Sequence, residues 1–175
     1  SSDFVKVASV EAQSGSKISF DNVFATGTYK SYQIHISRFV PSSGSWLKFY
    51  WRDSGSDVTS NYYWITSGTN GTSGGTGAIL YRGWNSSYGI VSYWSTDNSY
   101  NLISRIYVGN PALTQQNKIA FVNTALMTSS EIFRNDTSFS NNNATVTNGV
   151  DGFSIELANT GYSMNNMDVE VYGIK

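Results

Sequence analysis

The chain has 175 residues, one His and no Cys, and its 11 basic and 12 acidic residues nearly cancel. This length suits a single domain (1–175) with a sizeable core, and the lack of Cys excludes disulfides, thiolate zinc sites and Cys nucleophiles. Neither sign of charge clusters, so nothing marks a nucleic acid or an anionic membrane as partner, and no run approaches the ~20 apolar residues of a membrane helix.

The strongest signal is aromatic: five Trp, twelve Tyr and nine Phe, mostly in short alternating runs amid Ser, Thr, Asn and Gly. Such residues suit a pleated, half-buried surface. In chain order, strands are expected at Phe4–Ala12 and Ile18–Phe24, separated by Gln13-Ser14-Gly15-Ser16. In Tyr32-Gln33-Ile34-His35-Ile36-Ser37 the Tyr and both Ile share one face, and Gln, His and Ser the other. After Phe39-Val40 and the turn Pro41–Ser45, Leu47, Phe49 and Trp51 face one way, and Trp46, Lys48, Tyr50 and Arg52 the other. So short a connection reads as an antiparallel hairpin. A strand around Asn61–Thr66 precedes Ser67–Gly77, whose low complexity reads as a long loop. Short aromatic runs follow at Ala78–Trp84 and Tyr88–Trp94, then a strand pair at Leu102–Val108 and Lys118–Leu126. Thr128–Asn143 reads as a loop with one short element, and Val150–Leu157 and Met167–Ile174 close the chain. Nine or ten antiparallel strands without helical periodicity imply an all-β fold, an antiparallel β-sandwich of jelly-roll type. Phe20, Phe24, Phe49, Phe121 and Phe153 are expected to fill it.

The sequence offers little for catalysis, and no enzyme is expected. His35 sits mid-strand with no nucleophile-elbow pattern, and zinc would need further nitrogen or sulfur ligands. Of the carboxylates Asp53, Asp57, Asp97, Glu131, Asp136 and Asp151, most adjoin Gly, Ser or Asn, where Asp makes local turn hydrogen bonds. Asp53-Ser54-Gly55-Ser56-Asp57 lacks the spacing and terminal Glu of a Ca²⁺ loop. The Gly-rich segment lacks the Lys-Ser/Thr of a phosphate cradle. No metal or cofactor is expected. Four sequons, at Asn70, Asn85, Asn135 and Asn143, are what chance gives in so Asn- and Ser/Thr-rich a chain.

The surplus rings remain. Trp46, Tyr50, Arg52, Trp64, Trp84, Tyr88 and Trp94 are the candidates for a contact surface, either a protein interface or a platform for stacking sugars. Core filling is the competing use for each ring.

Three stretches resemble a family of small bacteriophage virion proteins and fibre-tip domains of phages that infect cyanobacteria and other aquatic bacteria. One is Ile18-Ser19-Phe20-Asp21-Asn22-Val23-Phe24 with Tyr29-Lys30-Ser31-Tyr32-Gln33-Ile34-His35-Ile36. Another joins Phe39-Val40-Pro41 to Ser60-Asn61-Tyr62-Tyr63-Trp64. The last runs from Gly152-Phe153-Ser154-Ile155 to Val169-Glu170-Val171-Tyr172-Gly173-Ile174. The resemblance implies a jelly-roll-like sandwich in a phage particle and no catalytic residues. The expected function is therefore structural: a capsid decoration or cement protein on the virion surface, made in the host cytoplasm. Its partners would be the major capsid protein or the fibre and tail proteins. The absence of a shaft or anchoring segment favours decoration over a fibre. A homo-oligomer such as a trimer fits this role, although no heptads mark one. The alternative is a tail- or head-fibre receptor-binding module that recognises host-surface glycans.

Overall fold

The structure is a computed structural model, and it describes residues 3–11, 14–24, 27–72, 75–96, 101–113, 117–141 and 149–175. Thirteen strands are found among them: β1 (Phe4–Val10), β2 (Lys17–Phe20), β3 (Ser31–Pro41), β4 (Ser45–Asp53), β5 (Ser56–Asp57), β6 (Tyr62–Thr72), β7 (Gly75–Ser86), β8 (Gly89–Thr96), β9 (Leu102–Val108), β10 (Lys118–Met127), β11 (Ile132–Asn141), β12 (Gly152–Leu157) and β13 (Met164–Ile174). They form two antiparallel sheets packed as a β-sandwich. The larger sheet has eight strands in the order β1-β13-β3-β9-β10-β11-β6-β7, and the smaller has five, β2-β12-β4-β5 with β8 also paired to β4.

This order contains a jelly roll. The run β1-β13-β3-β9 faces β2-β12-β4-β8, and the chain alternates between the sheets as two Greek keys require. Two hairpins are additions to that frame. The β6–β7 hairpin is inserted before β8, and β10–β11 before β12; together they widen the larger sheet into a four-stranded wing beyond β9.

Alternation correctly identifies the inward faces. Tyr32, Ile34 and Ile36 from β3 meet Leu47, Phe49 and Trp51 from β4 across the core, with Val169 and Val171 of β13 and Phe153 and Ile155 of β12. Phe49 stacks on Phe153 at 5.6 Å, and Phe153 on Phe20 at 4.9 Å. Full burial of one such side chain is worth ~1.5–3 kcal/mol.

Four expectations are corrected. First, β3 and β4 are not a hairpin: β3 pairs with β13 and β9, and β4 with β12 and β8. A hairpin would lay their two apolar faces side by side on one sheet, whereas the sandwich sets them against each other. Second, the described part of Ser67–Gly77 is not a long loop but paired strand of β6 and β7, with Thr69 opposite Ala78 and Gly71 opposite Thr76; residues 73–74 lie outside the described residues. The β6 strand is also laddered to β11, so it is held on both sides. Third, Thr128–Asn143 contains the ten-residue strand β11. Its inward positions are largely polar, and most are bonded: Thr137 to Thr66 at 2.7 Å, Asn135 Nδ2 to Thr137 at 3.1 Å, and Asn141 to the Ser60 carbonyl at 2.6 Å, while the buried Asn135 Oδ1 has no partner among the described residues. Fourth, Phe121 lies on the outer face, because Ala120 and Val122 occupy the inward phase of β10. Phe20, Phe24, Phe49 and Phe153 are core residues.

Candidate functional site

Most of the surplus rings build a half-buried cluster beside the wing that is continuous with the main core through Trp64, Trp94 and Phe133. Tyr93 on β8 is its hub, with ring centroids 4.3 Å from Tyr81, 5.9 Å from Trp94, 6.0 Å from Trp64 and 6.3 Å from Trp46. Trp94 goes on to stack on Phe133 of β11 at 5.5 Å, and Trp46 meets Tyr88 at 5.7 Å. The added hairpins need apolar filling between themselves and β8, and these offset and tilted rings supply it. Two strand glycines make room. A Cβ on Gly83 would collide with the Trp64 indole, and one on Gly68 with Trp94, besides lying 2.8 Å from the Arg134 carbonyl. Trp46, Trp64, Tyr88 and Trp94 are thus half-buried and engaged with neighbouring rings. Tyr93 was absent from the sequence candidates, although it lies inside the Tyr88–Trp94 aromatic run.

Tyr50 and Arg52 lie on the outer face of the smaller sheet, yet both are buried. Arg52 donates to Asp21 Oδ1 at 2.6 Å, to Asp57 Oδ1 at 2.6 Å and to the Gly55 carbonyl. Asp57 also accepts from Ser154 at 2.7 Å and pairs with Lys17. Burial pushes the Asp57 carboxyl up, but hydrogen bonds from Lys17, Ser154 and Arg52 outweigh it and hold the group below its ordinary value. Burial, and donation to Glu156 at 2.9 Å, raise the Tyr50 phenol. This cluster is a closed network, with its polar groups turned on one another.

Trp84 is different. It is 79% exposed on β7, edge-on to Tyr63 at 4.8 Å. It belongs to the outer face of the larger sheet, where Ile65, Leu80, Ile103, Ile119, Phe121, Met127 and Ile132 are also exposed. The register explains the grouping. Tyr107, Phe121, Ser138, Ile65 and Arg82 form one lateral row across β9-β10-β11-β6-β7, and Arg105, Asn123, Asp136, Ser67 and Leu80 form the next. Phe4 on β1 is exposed on the same face, and of these nine residues all but Phe4 and Ile103 lie on the wing. Depressions of about 460 Å³ beside Trp84, Ile65 and Ile119, and about 470 Å³ beside Leu80 and Asp136, indent this face. The sequence signal for it is Ile119-Ala120-Phe121-Val122, apolar in both phases of a period-two strand, so that one phase must face outward.

Among the described residues the polar candidates are engaged by their neighbours. His35 is on the same outer face, 3.0 Å from Gln33 and against the Tyr172 ring at 5.1 Å; burial and the Arg105 charge push its imidazole below its ordinary value. Asp53 accepts from Ser54 at 2.9 Å within its own turn, whereas Asp151 accepts from the distant Ser54 amide at 3.2 Å and braces the turn after β4 rather than its own. Glu131 and Asp136 bond to Asn70 and Asn123. Among the described residues no three His, Asp or Glu side chains are grouped to hold a metal ion. The sequon Asn135 is buried within the sandwich and closed to modification in the folded chain. Asp97, Tyr100 and Asn143 lie outside the described residues. No protein-family model, curated protein or solved structure matches the chain.

Proposed function

We propose that this chain is a non-catalytic structural module of a bacteriophage particle, a decoration or cement protein that docks on other virion proteins through the outer face of its eight-stranded sheet. The observation that carries the docking face is the gathering of exposed Ile65, Leu80, Trp84, Ile119, Phe121, Met127 and Ile132 on the inserted wing. These side chains form two groups, Ile65, Trp84, Ile119 and Phe121 on one side and Met127 and Ile132 on the other, with the polar row Arg105, Asn123, Asp136 and Ser67 between them; so much exposed apolar surface on one face is costly to leave in water and marks an interaction surface. Its chemistry favours a protein partner, since it is mainly aliphatic, whereas a sugar platform needs flat rings with polar groups beside them. The assignment to a phage particle rests on the resemblance of the opening, central and closing motifs. On a repeating shell, individually weak contacts become effective through their number.

Electron microscopy of particles carrying the labelled chain tests this reading. Density at capsid vertices or capsomer centres is expected. Density at fibre ends alone, together with Trp84-dependent binding of isolated protein to a glycan array, overturns it in favour of a receptor-binding module.

A further inference from the structure

The same face carries one feature that its apolar character does not explain. Near its centre is a depression of about 410 Å³, lined by His35, Ile103, Arg105, Asn123, Ala125 and Arg134. Its origin is local. Ala125 ends at Cβ, while Ile103 beside it on β9 and Arg134 opposite on β11 extend past it. Arg105 is one lateral row away on β9, so the two arginines stand on strands flanking β10. Two strand spacings and a two-residue offset put their Cα atoms about 12 Å apart, a gap two long side chains can close from opposite sides.

The charges are unbalanced. Among the described residues the Arg105 guanidinium has no ion-pair or hydrogen-bond partner. Among the same residues Arg134 reaches only Asp136, at 3.5 Å, and Asp136 also accepts from Asn123 at 2.5 Å. On the far side Glu170 is engaged by Lys6 and Tyr172. Two guanidiniums against the single carboxylate of Asp136 leave one positive charge over an apolar floor. One excess charge suits a monoanion rather than a phosphate dianion or a polyanion. The planar fork of an arginine matches a carboxylate through paired N–H donors. The surrounding Ile103 and the nearby Met127 and Ile132 suit the apolar rim of a protein contact.

We propose that the depression over Ala125 is a carboxylate seat, which takes an Asp or Glu side chain from the surface of the docking partner. This rests on the docking reading above and names the partner's chemistry: an acidic side chain set in an apolar surface. The seat would fix register on the face, while the apolar rows supply most of the contact area.

The test uses the ¹⁵N-labelled full chain and two probes, N-acetylglutamate α-amide and its neutral counterpart N-acetylglutamine amide. Saturable millimolar shifts of the amides around Ile103–Arg105, Asn123–Ala125 and Arg134 are expected with the acid and not with the neutral probe. Affinity should fall by about tenfold in the Arg105→Gln/Arg134→Gln double variant, and also in Ala125→Leu, which fills the seat and keeps both charges. Equal shifts from both probes, no saturable shift, or unchanged binding in both variants overturns the proposal. A clear preference for glucuronate over the glutamate probe also overturns it, by assigning the seat to an acidic sugar. Phe121→Asp separates this inference from the one beneath it. If Phe121→Asp detaches the chain from particles while the seat variants change nothing, the seat alone fails; if Phe121→Asp is without effect, the docking face fails.

Discussion

Replacing Arg52 with Met probes the network that closes the outer face of the smaller sheet. Met keeps most of the aliphatic stem and removes the guanidinium. Asp21 is then released into solvent, since its side chain is already 41% exposed, and its loss costs little. Asp57 has no such exit, with side-chain exposure of only 10%, and it retains Lys17 and Ser154. Breaking a buried pair by removing one partner costs about 3–5 kcal/mol, and the surviving Lys17 places this case at the lower end, about 3 kcal/mol. For a chain of this size that is a fall in Tm of roughly 6–12 °C. Urea unfolding and calorimetry measure it. Adding Asp57→Asn should recover part of the loss, with a coupling above about 1 kcal/mol in the double-mutant cycle. A single variant within about 0.5 kcal/mol of wild type, or strict additivity, would refute the reasoning.

Three further outcomes follow from the same structure. Gly83→Ala should displace the Trp64 indole, cost about 1–3 kcal/mol by overpacking and alter the near-ultraviolet circular dichroism of the ring cluster, whereas Gly44→Ala, with open space around its added Cβ, should be nearly silent. Asp57 is held below its unfolded value of ~3.9, so its contribution is complete above that pH and is lost as pH falls through the lower folded value; chemical unfolding across this acid range should show a steeper loss of stability in wild type than in Asp57→Asn. Trp84→Ala should change stability by no more than about 1 kcal/mol, the value of its one edge-on contact with Tyr63, while Trp51→Ala at the fully buried position should cost about 3–5 kcal/mol in urea titrations.

The sequence carried the strand faces and left their neighbours open, because a period of two encodes which side chains point inward and not which strand lies alongside. Leu47, Phe49 and Trp51 were therefore legible as one buried face, while the crossing from β3 to β4 between sheets was not. The Ser/Thr/Gly-rich hairpin and β11 were hidden for another reason. Their inward positions are filled by Thr66, Asn135 and Thr137, and the Thr137–Thr66 hydrogen bond forms only once β11 and β6 are side by side. The candidate rings divide between packed and exposed positions, and the sequence could not divide them because an aromatic surplus reads alike as an interface or as core. The sequence gives no hint that two added hairpins need their own filling, which is where Trp46, Trp64, Tyr88 and Trp94 went. Of the sequence candidates, Trp84 alone stands fully in solvent on the proposed face.

Hydroxyl-radical footprinting of the chain, free and bound to the proposed phage particle, tests the central claim most directly. Burial of the wing's outer face predicts strong protection of Trp84, Phe121 and Met127 in the particle, with Trp46 on the smaller sheet and Tyr88 in the turn before β8 unchanged. Equal oxidation of Trp84, Phe121 and Met127 in the two states would contradict it.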